Sequence, residues 1–261
     1  MNMDKMVIIL LIILSAVSCN TKSSQKDSQR ETTQPALAYE VRATLEHSRE
    51  AFTQGLVVYK GKVLESTGMD SWIAEYDIAT GKYEKKVELE DHYFGEGITV
   101  LNNKIYQLTW KNKVGFIYDV NTYQKIGEFN YPFEGWGITH DSTNLIISDG
   151  TDKLHYFDTL TMKEVMTKSI TDGNQRTRAL NELEYINGYI FANQWETSII
   201  LKIDPETSAI VDKLDLSYLV RQEKKINARA DALNGIAYFP DTDELLVTGK
   251  YWSKAYILKL K

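Results

Sequence analysis

The chain has 261 residues, a formal net charge of −6, 43% hydrophobic and 25% charged residues. That hydrophobic share supports a packed core, and the acidic balance argues against nucleic acid as a partner. The only cysteine is Cys19, so a domain folded downstream of it contains no disulfide. Lys5 precedes the apolar run Met6–Leu14, which is followed by Ser15-Ala16-Val17-Ser18-Cys19. A basic start, a short apolar stretch and small residues read as a secretory signal over residues 1–18, too short to span a bilayer. Cys19 sits where a bacterial lipoprotein signal places its lipidated cysteine, although Ala16 stands where leucine is usual. The expectation is a lipid anchor on Cys19, holding the protein to a membrane of the cell envelope and facing the periplasm or the cell surface. Residues 19–36, rich in Ser, Thr, Gln and Lys, read as a flexible tether, which leaves 37–261 as one domain.

That domain repeats itself. Gly55-Leu56-Val57-Val58 leads through Lys60-Gly61 into Lys62-Val63-Leu64, and Gly97-Ile98-Thr99-Val100 leads through Asn102-Asn103 into Lys104-Ile105-Tyr106. Each is two short strands joined by a tight turn. The same frame recurs at Gly137, Glu182 and Gly235, so the anchors are spaced by 42, 40, 45 and 53 residues. Third strands end in Asp77, Asp119, Asp158 and Asp204, each followed by turn residues whose backbone an Asp side chain can hold. Fourth strands such as Lys85–Leu89 and Lys125–Phe129 complete the unit. Four strands per ~40–45 residues predict an all-β, five-bladed β-propeller of four-stranded antiparallel blades. The last unit supplies only three strands. The run Ala38–Leu45 has strand composition and no partner of its own, so it is expected to close the ring as the missing fourth.

Propeller geometry places the loop entering the first strand and the loop leaving the second strand of each blade on one face, around the channel mouth. The entering loops carry Phe52 and Gln54, Phe94 and Glu96, Glu134 and Trp136, Asn181, and Asn234; the leaving loops carry Trp110, Trp195, Lys250 and Trp252. Four of the five tryptophans fall in these loops, the exception being Trp72. Aromatic walls hold an apolar stem or an ammonium, Asn, Gln and Lys donate to a carbonyl oxygen gaining charge, and a carboxylate desolvated by aromatic neighbours suits proton transfer. Glu96 is the foremost candidate, because Phe94-Gly95-Glu96-Gly97 sets a carboxylate between two glycines directly before a strand. No Ser/His or Cys/His nucleophilic pair is evident. His47, His92, His140 and His155 lack metal-ligand spacing; His155 reads as structural, and His92 is noted for its nearness to Glu96.

At these residues the chain resembles the plant and bacterial glutaminyl-peptide cyclotransferases, or glutamine cyclotransferases. The resemblance rests on Phe52-Thr53-Gln54-Gly55-Leu56, Phe94-Gly95-Glu96-Gly97-Ile98-Thr99, Gln107-Leu108-Thr109-Trp110, Gly135-Trp136-Gly137, Asn181-Glu182-Leu183-Glu184-Tyr185, Ala192-Asn193-Gln194-Trp195, Leu233-Asn234-Gly235-Ile236-Ala237 and Thr248-Gly249-Lys250. It spans residues 38–261 and implies a five-bladed propeller. The implied reaction converts the N-terminal glutamine of a peptide or protein to pyroglutamate with release of ammonia. Glu96 is then the proton shuttle, Gln54 a ligand of substrate polar groups, and Asn181 and Lys250 the groups on the developing oxyanion. Trp110, Trp136 and Trp195 form the pocket walls, with Phe52 and Phe94 lining it. The resemblance calls for no cofactor and no metal, and nothing indicates more than a monomer. Two other readings are weighed: a non-catalytic propeller that binds peptide N-termini or a partner protein, and a sugar-active propeller. The latter needs a second carboxylate, for which Glu182 and, less well placed, Glu134 are the candidates.

Overall fold

A computed structural model describes residues 37–261; the signal, Cys19 and the tether lie outside the described residues. Five antiparallel sheets follow one another along the chain. Their innermost strands are Thr53–Tyr59, Gly95–Leu101, Ile138–His140, Leu180–Ile186 and Leu233–Phe239. Side chains from adjacent blades interlock between them. Val57, Leu64 and Ile73 of blade one meet Ile98, Val100 and Ile105 of blade two, and equivalent apolar clusters fill the other four seams, including the one between blades five and one. A ring of five seams is what the five-bladed propeller requires, and no blade is left with an unburied face.

The ring closes as the sequence predicts. The strand Tyr39–Glu46 pairs antiparallel with Lys254–Leu260, so blade five is built from both ends of the domain. The aspartates that end the third strands hold the turns that follow. Asp77, Asp119, Asp158 and Asp204 accept backbone N–H bonds from Ala79, Asn121, Thr161 and Glu206 at 2.8–3.0 Å.

The uneven repeat spacing has two causes that the strand pattern does not reveal. A hairpin of Thr171–Asp172 and Gln175–Arg176 joins the outer edge of blade four through Thr171 beside Ala209, widening that sheet to six strands. A helix, Ser217–Ile226, occupies the 53-residue step and departs from an otherwise all-β chain. Its buried Leu219 joins the apolar seam between blades four and five. Its buried Glu223 accepts from Tyr256 Oη at 2.6 Å and Ser253 N at 2.8 Å, so the helix is pinned to blade five.

At the centre the inner strands approach too closely for most side chains. A Cβ on Gly137 would lie 2.1 Å from Asn181 O, and one on Gly97 would lie 2.8 Å from Ile138 N. Glycine fills this register position in four blades. Blade four has Glu182 there instead. Its carboxylate accepts from Leu56 N at 3.3 Å and Ile236 N at 2.9 Å, bonding blade four to blades one and five.

Candidate active site

Four polar residues of the mouth, Gln54, Glu96, Asn181 and Asn234, do not lie in loops, whereas Lys250 lies in the turn after its strand. The four lie inside the inner strands, each at a β-bulge. Thr53 pairs with Thr67 and Gly55 with Ser66, which leaves Gln54 unpaired. Gly95 pairs with Thr109 and Ile98 with Gln107, so Glu96 and Gly97 together face Leu108. Asn181 and Glu182 stand in the same relation to Asn193, and Asn234 and Gly235 to Thr248. A bulge releases one residue from the ladder and re-aims its side chain. Repeated in four blades, it turns Gln54, Glu96, Asn181 and Asn234 toward the mouth.

A second repeat supplies the walls. Gly68, Trp110, Trp195 and Lys250 donate their backbone N–H to Phe52, Phe94, Ala179 and Ala232 at 2.9–3.0 Å, closing each inner hairpin. Two tryptophans and a lysine therefore occupy equivalent positions. Blade three departs from this pattern: Trp136 donates its own N–H to Ser148 O at 3.0 Å, and Gly137 N donates to Ser148 Oγ at 2.8 Å.

These side chains enclose a cavity of 260 Å³ lined by Phe52, Gln54, Phe94, Glu96, Trp110, Trp136, Asn181, Trp195 and Lys250, with Met69 at its edge. That is slightly below the about 300–1,000 Å³ of drug-sized sites and suits a single amino-acid head group. The aromatic wall has two runs. Trp195 meets Trp136 edge-on at 5.3 Å between centroids, Trp110 meets Phe94 at 5.6 Å, and Phe94 meets Phe52 at 6.0 Å. Glu134 Oε2 joins the two halves by accepting from Trp110 Nε1 at 2.6 Å and Trp136 Nε1 at 3.5 Å.

Glu96 is 5% exposed, and its Oε1 accepts from Gln54 Nε2 at 3.0 Å. Asn234 Nδ2 donates to Gln54 Oε1 at 3.3 Å, fixing which end of that amide faces the carboxyl. Ser66 Oγ donates to Glu96 O at 2.6 Å and itself accepts from Gln107 Nε2 at 2.9 Å, holding the backbone. Burial pushes the Glu96 carboxyl well above the usual carboxylate range; the Lys250 ammonium pulls it back, and the Glu134 charge adds to the rise. Burial likewise lowers the Lys250 ammonium, against the attraction of Glu96 and Asp231. Its Nζ lies 4.6 Å from the Phe52 ring centroid, within cation–π range. Asn181 Oδ1 is buried with no partner among the described residues, a polar atom that a ligand would satisfy. The arrangement therefore offers a proton-exchanging carboxyl, a cationic donor and an uncommitted amide within apolar walls.

The family model for glutamine cyclotransferases matches residues 10–260. The chain belongs to the glutamine cyclotransferase family. A relative, the glutaminyl-peptide cyclotransferase of Arabidopsis thaliana, is 40% identical over 228 residues, which is 85% of this chain and 71% of that protein. The crystal structure of Myxococcus xanthus glutaminyl cyclase superposes with a TM-score of 0.80 at 30% identity, covering 87% of this chain and 97% of its own. Membership in the family agrees with the five-bladed fold.

All nine pocket residues named from the sequence meet in this one cavity. Trp252 does not. It is fully buried in the seam between blades four and five, donating Nε1 to Asp231 O at 3.0 Å. Its near-equivalence to the rim tryptophans in sequence is misleading, because Lys250 already takes the position at the mouth. Glu182 is unavailable as a second carboxylate, since the backbone N–H groups of Leu56 and Ile236 occupy it; Glu134 is committed to two indoles. The two-carboxylate requirement of the sugar-active reading is therefore unmet. His155 is structural, held between Asp149 and Glu164 and stacked on Phe133 at 3.8 Å. Sequence reasoning missed Asn234 and Glu134 as supports and Met69 as a wall. The signal for Asn234 was its offset in the repeat, which is that of Gln54, Glu96 and Asn181.

Proposed function

We propose that the protein is a glutaminyl-peptide cyclotransferase that closes the N-terminal glutamine of a peptide to pyroglutamate, with Glu96 as its proton shuttle. The observation that carries the reading is a single buried carboxyl of raised pKa, bonded to Gln54, on the wall of a cavity sized for one residue. The α-amine attacks the γ-carboxamide carbon and forms the ring C–N bond. The amine gives up a proton to the Glu96 carboxylate, which passes it to the departing amide nitrogen, and the C–N bond to that nitrogen breaks to release ammonia. The reacting groups belong to one residue, so holding one conformer supplies much of the acceleration. The free α-amine has a pKa of about 7.7–8.0, so its deprotonation is undemanding, and protonating the leaving nitrogen is the harder step. Asn181 and Lys250 donate to the oxygen that gains charge, and the aromatic wall packs the methylene stem and keeps water from the intermediate.

The same proposal places the domain on the cell envelope as a monomer, held by a lipid on Cys19 through the tether; its support is the basic, apolar and small-residue order of the first nineteen positions. The catalytic reading is tested by ammonia release from a short peptide with N-terminal glutamine, wild type beside Glu96→Gln, with folding of both checked by circular dichroism. The expected loss is about 10²–10⁴-fold for removal of the acid–base group. Binding without release by folded wild type would instead favour a module that recognises peptide N-termini.

A further inference from the structure

The cavity does not end at Met69 and Phe94. Both residues also line a second, larger concavity of 550 Å³ that runs between the segment 68–71 and the segment 88–94, which crosses from blade one to blade two. The two hollows adjoin at Met69 and Phe94, so the outer one is within reach of the residues that follow one seated in the inner cavity. The two segments that line the outer hollow are tied to each other. Ser71 Oγ donates to Tyr93 O at 3.2 Å and accepts from Gly95 N at 2.9 Å, and Leu89 N donates to Ser71 O at 2.9 Å. Met69 stands at the threshold, 52% exposed, an unbranched apolar side chain that adapts to varied contacts.

Carboxylates outnumber cations in the lining of this groove. Asp70, Glu88, Glu90 and Asp91 line it, against Lys85 and His92. Lys85 is already paired with Glu88 at 3.2 Å. His92 Nδ1 lies 3.6 Å from Glu90 Oε2, a contact that is charged only when the ring is protonated. Asp70 and Asp91 are exposed and have no ion pair within 4 Å among the described residues. Elsewhere the mouth mixes signs: Lys111 lies 3.9 Å from the Trp110 ring centroid and Arg229 5.1 Å from that of Tyr251, with Glu134 and Asp231 nearby.

We infer that this groove binds the residues that follow the N-terminal glutamine, and that it selects peptides carrying Lys or Arg there. The inference rests on the cyclotransferase reading of the inner cavity. The shared wall supplies the site, and the excess of carboxylates over cations supplies the class of ligand. Such pairs lie in water, so their effect is modest and sensitive to salt.

The test compares kcat/KM for Gln-Lys-Lys-Lys-Ala, Gln-Glu-Glu-Glu-Ala and the dipeptide Gln-Ala, on the wild type and on the triple variant Asp70→Asn, Glu90→Gln, Asp91→Asn. All three positions are exposed and outside the inner cavity, so the variant is expected to fold. The expected wild-type preference for the basic over the acidic peptide is about tenfold at low ionic strength, shrinking in 0.5 M salt. In the variant the ratio falls to within about twofold, while turnover of Gln-Ala is unchanged. Turnover of Gln-Ala with no charge preference, or a preference that survives the triple substitution, overturns the groove and leaves the cyclotransferase reading standing. Failure of wild type to turn over any of the three overturns both.

Discussion

Gln54 and Glu96 lie 42 positions apart in the chain and meet at 3.0 Å, Nε2 to Oε1, where the bulged inner strands of blades one and two turn toward the same cavity. The proton-handling group of one blade is thus held by its neighbour. The hydrogen bond favours the ionised carboxyl, while burial and the Glu134 charge favour the protonated one. Two substitutions therefore move the acid limb of the kcat/KM profile in opposite directions. Gln54→Leu removes a donor to the carboxylate, so the limb moves to higher pH. Loss of one hydrogen bond to a charged group costs about 1.5–3 kcal/mol, or roughly 10- to 100-fold near neutral pH. Glu134→Gln removes a like charge but keeps an acceptor for the indoles, so the limb moves to lower pH. A profile that stays in place in both variants would separate Glu96 from the proton transfer.

Glu182 tests whether a buried carboxylate in the channel is chemistry or structure. Glu182→Gln keeps one acceptor for Leu56 N or Ile236 N and turns an amide toward the other. An unsatisfied buried donor costs about 1–3 kcal/mol, so the denaturant midpoint falls. Turnover by the folded fraction at low temperature stays within a factor of two or so of wild type. A folded, stable variant without activity would return Glu182 to the list of reacting groups.

The tight centre of the ring gives a pair of alanine substitutions that the sequence alone would rank as equal. In Gly137→Ala the new Cβ meets Asn181 O at 2.1 Å and has only backbone to displace, so the domain loses about 3 kcal/mol or more, or does not fold. In Gly173→Ala the Cβ meets nothing, and the cost is the about 1–2 kcal/mol of a non-glycine residue at the positive φ of an exposed turn. Urea denaturation of the two variants beside wild type measures the difference.

Burial raises three carboxyls, Glu96, Glu182 and Glu184, the last to about 8. A carboxyl whose folded pKa exceeds its unfolded value of about 4.3 holds its proton more tightly when folded. Its stabilising contribution is complete below about pH 4.3 and is lost as pH rises through the folded pKa. The melting temperature is therefore expected to fall between pH 5 and pH 8.5. Glu184→Gln, which keeps an acceptor for Tyr238 N, should flatten the upper part of that decline. Lys250, whose ammonium is depressed by burial, acts oppositely at pH values above its own folded pKa. A melting temperature that climbs across this range in wild type would contradict the raised pKa values of these buried carboxyls.

Much of the architecture was legible in the chain because a propeller repeats a local rule. Alternating apolar residues, tight turns and the aspartates after third strands depend on neighbours a few positions away, so five units and the closing role of Ala38–Leu45 followed from reading order. The nine pocket residues were also legible, since they recur at fixed offsets from the repeat anchors and match a family's motifs. What neighbours in sequence cannot state is how strands from different blades meet. The bulges that turn Gln54, Glu96 and Asn181 inward were read as loops, because a bulge is defined by the partner strand. Trp252 looked like Trp110 and Trp195 and proved to be packing, because a shift of two positions moves it from the mouth to the seam behind. Glu182 looked like a second acid and proved to be a bond between blades four, five and one, decided by two N–H groups 126 and 54 positions away. Sequence determined which side chains are available. Ring closure decided which of them share a space, because the contacts that bury them and set their protonation are made between blades.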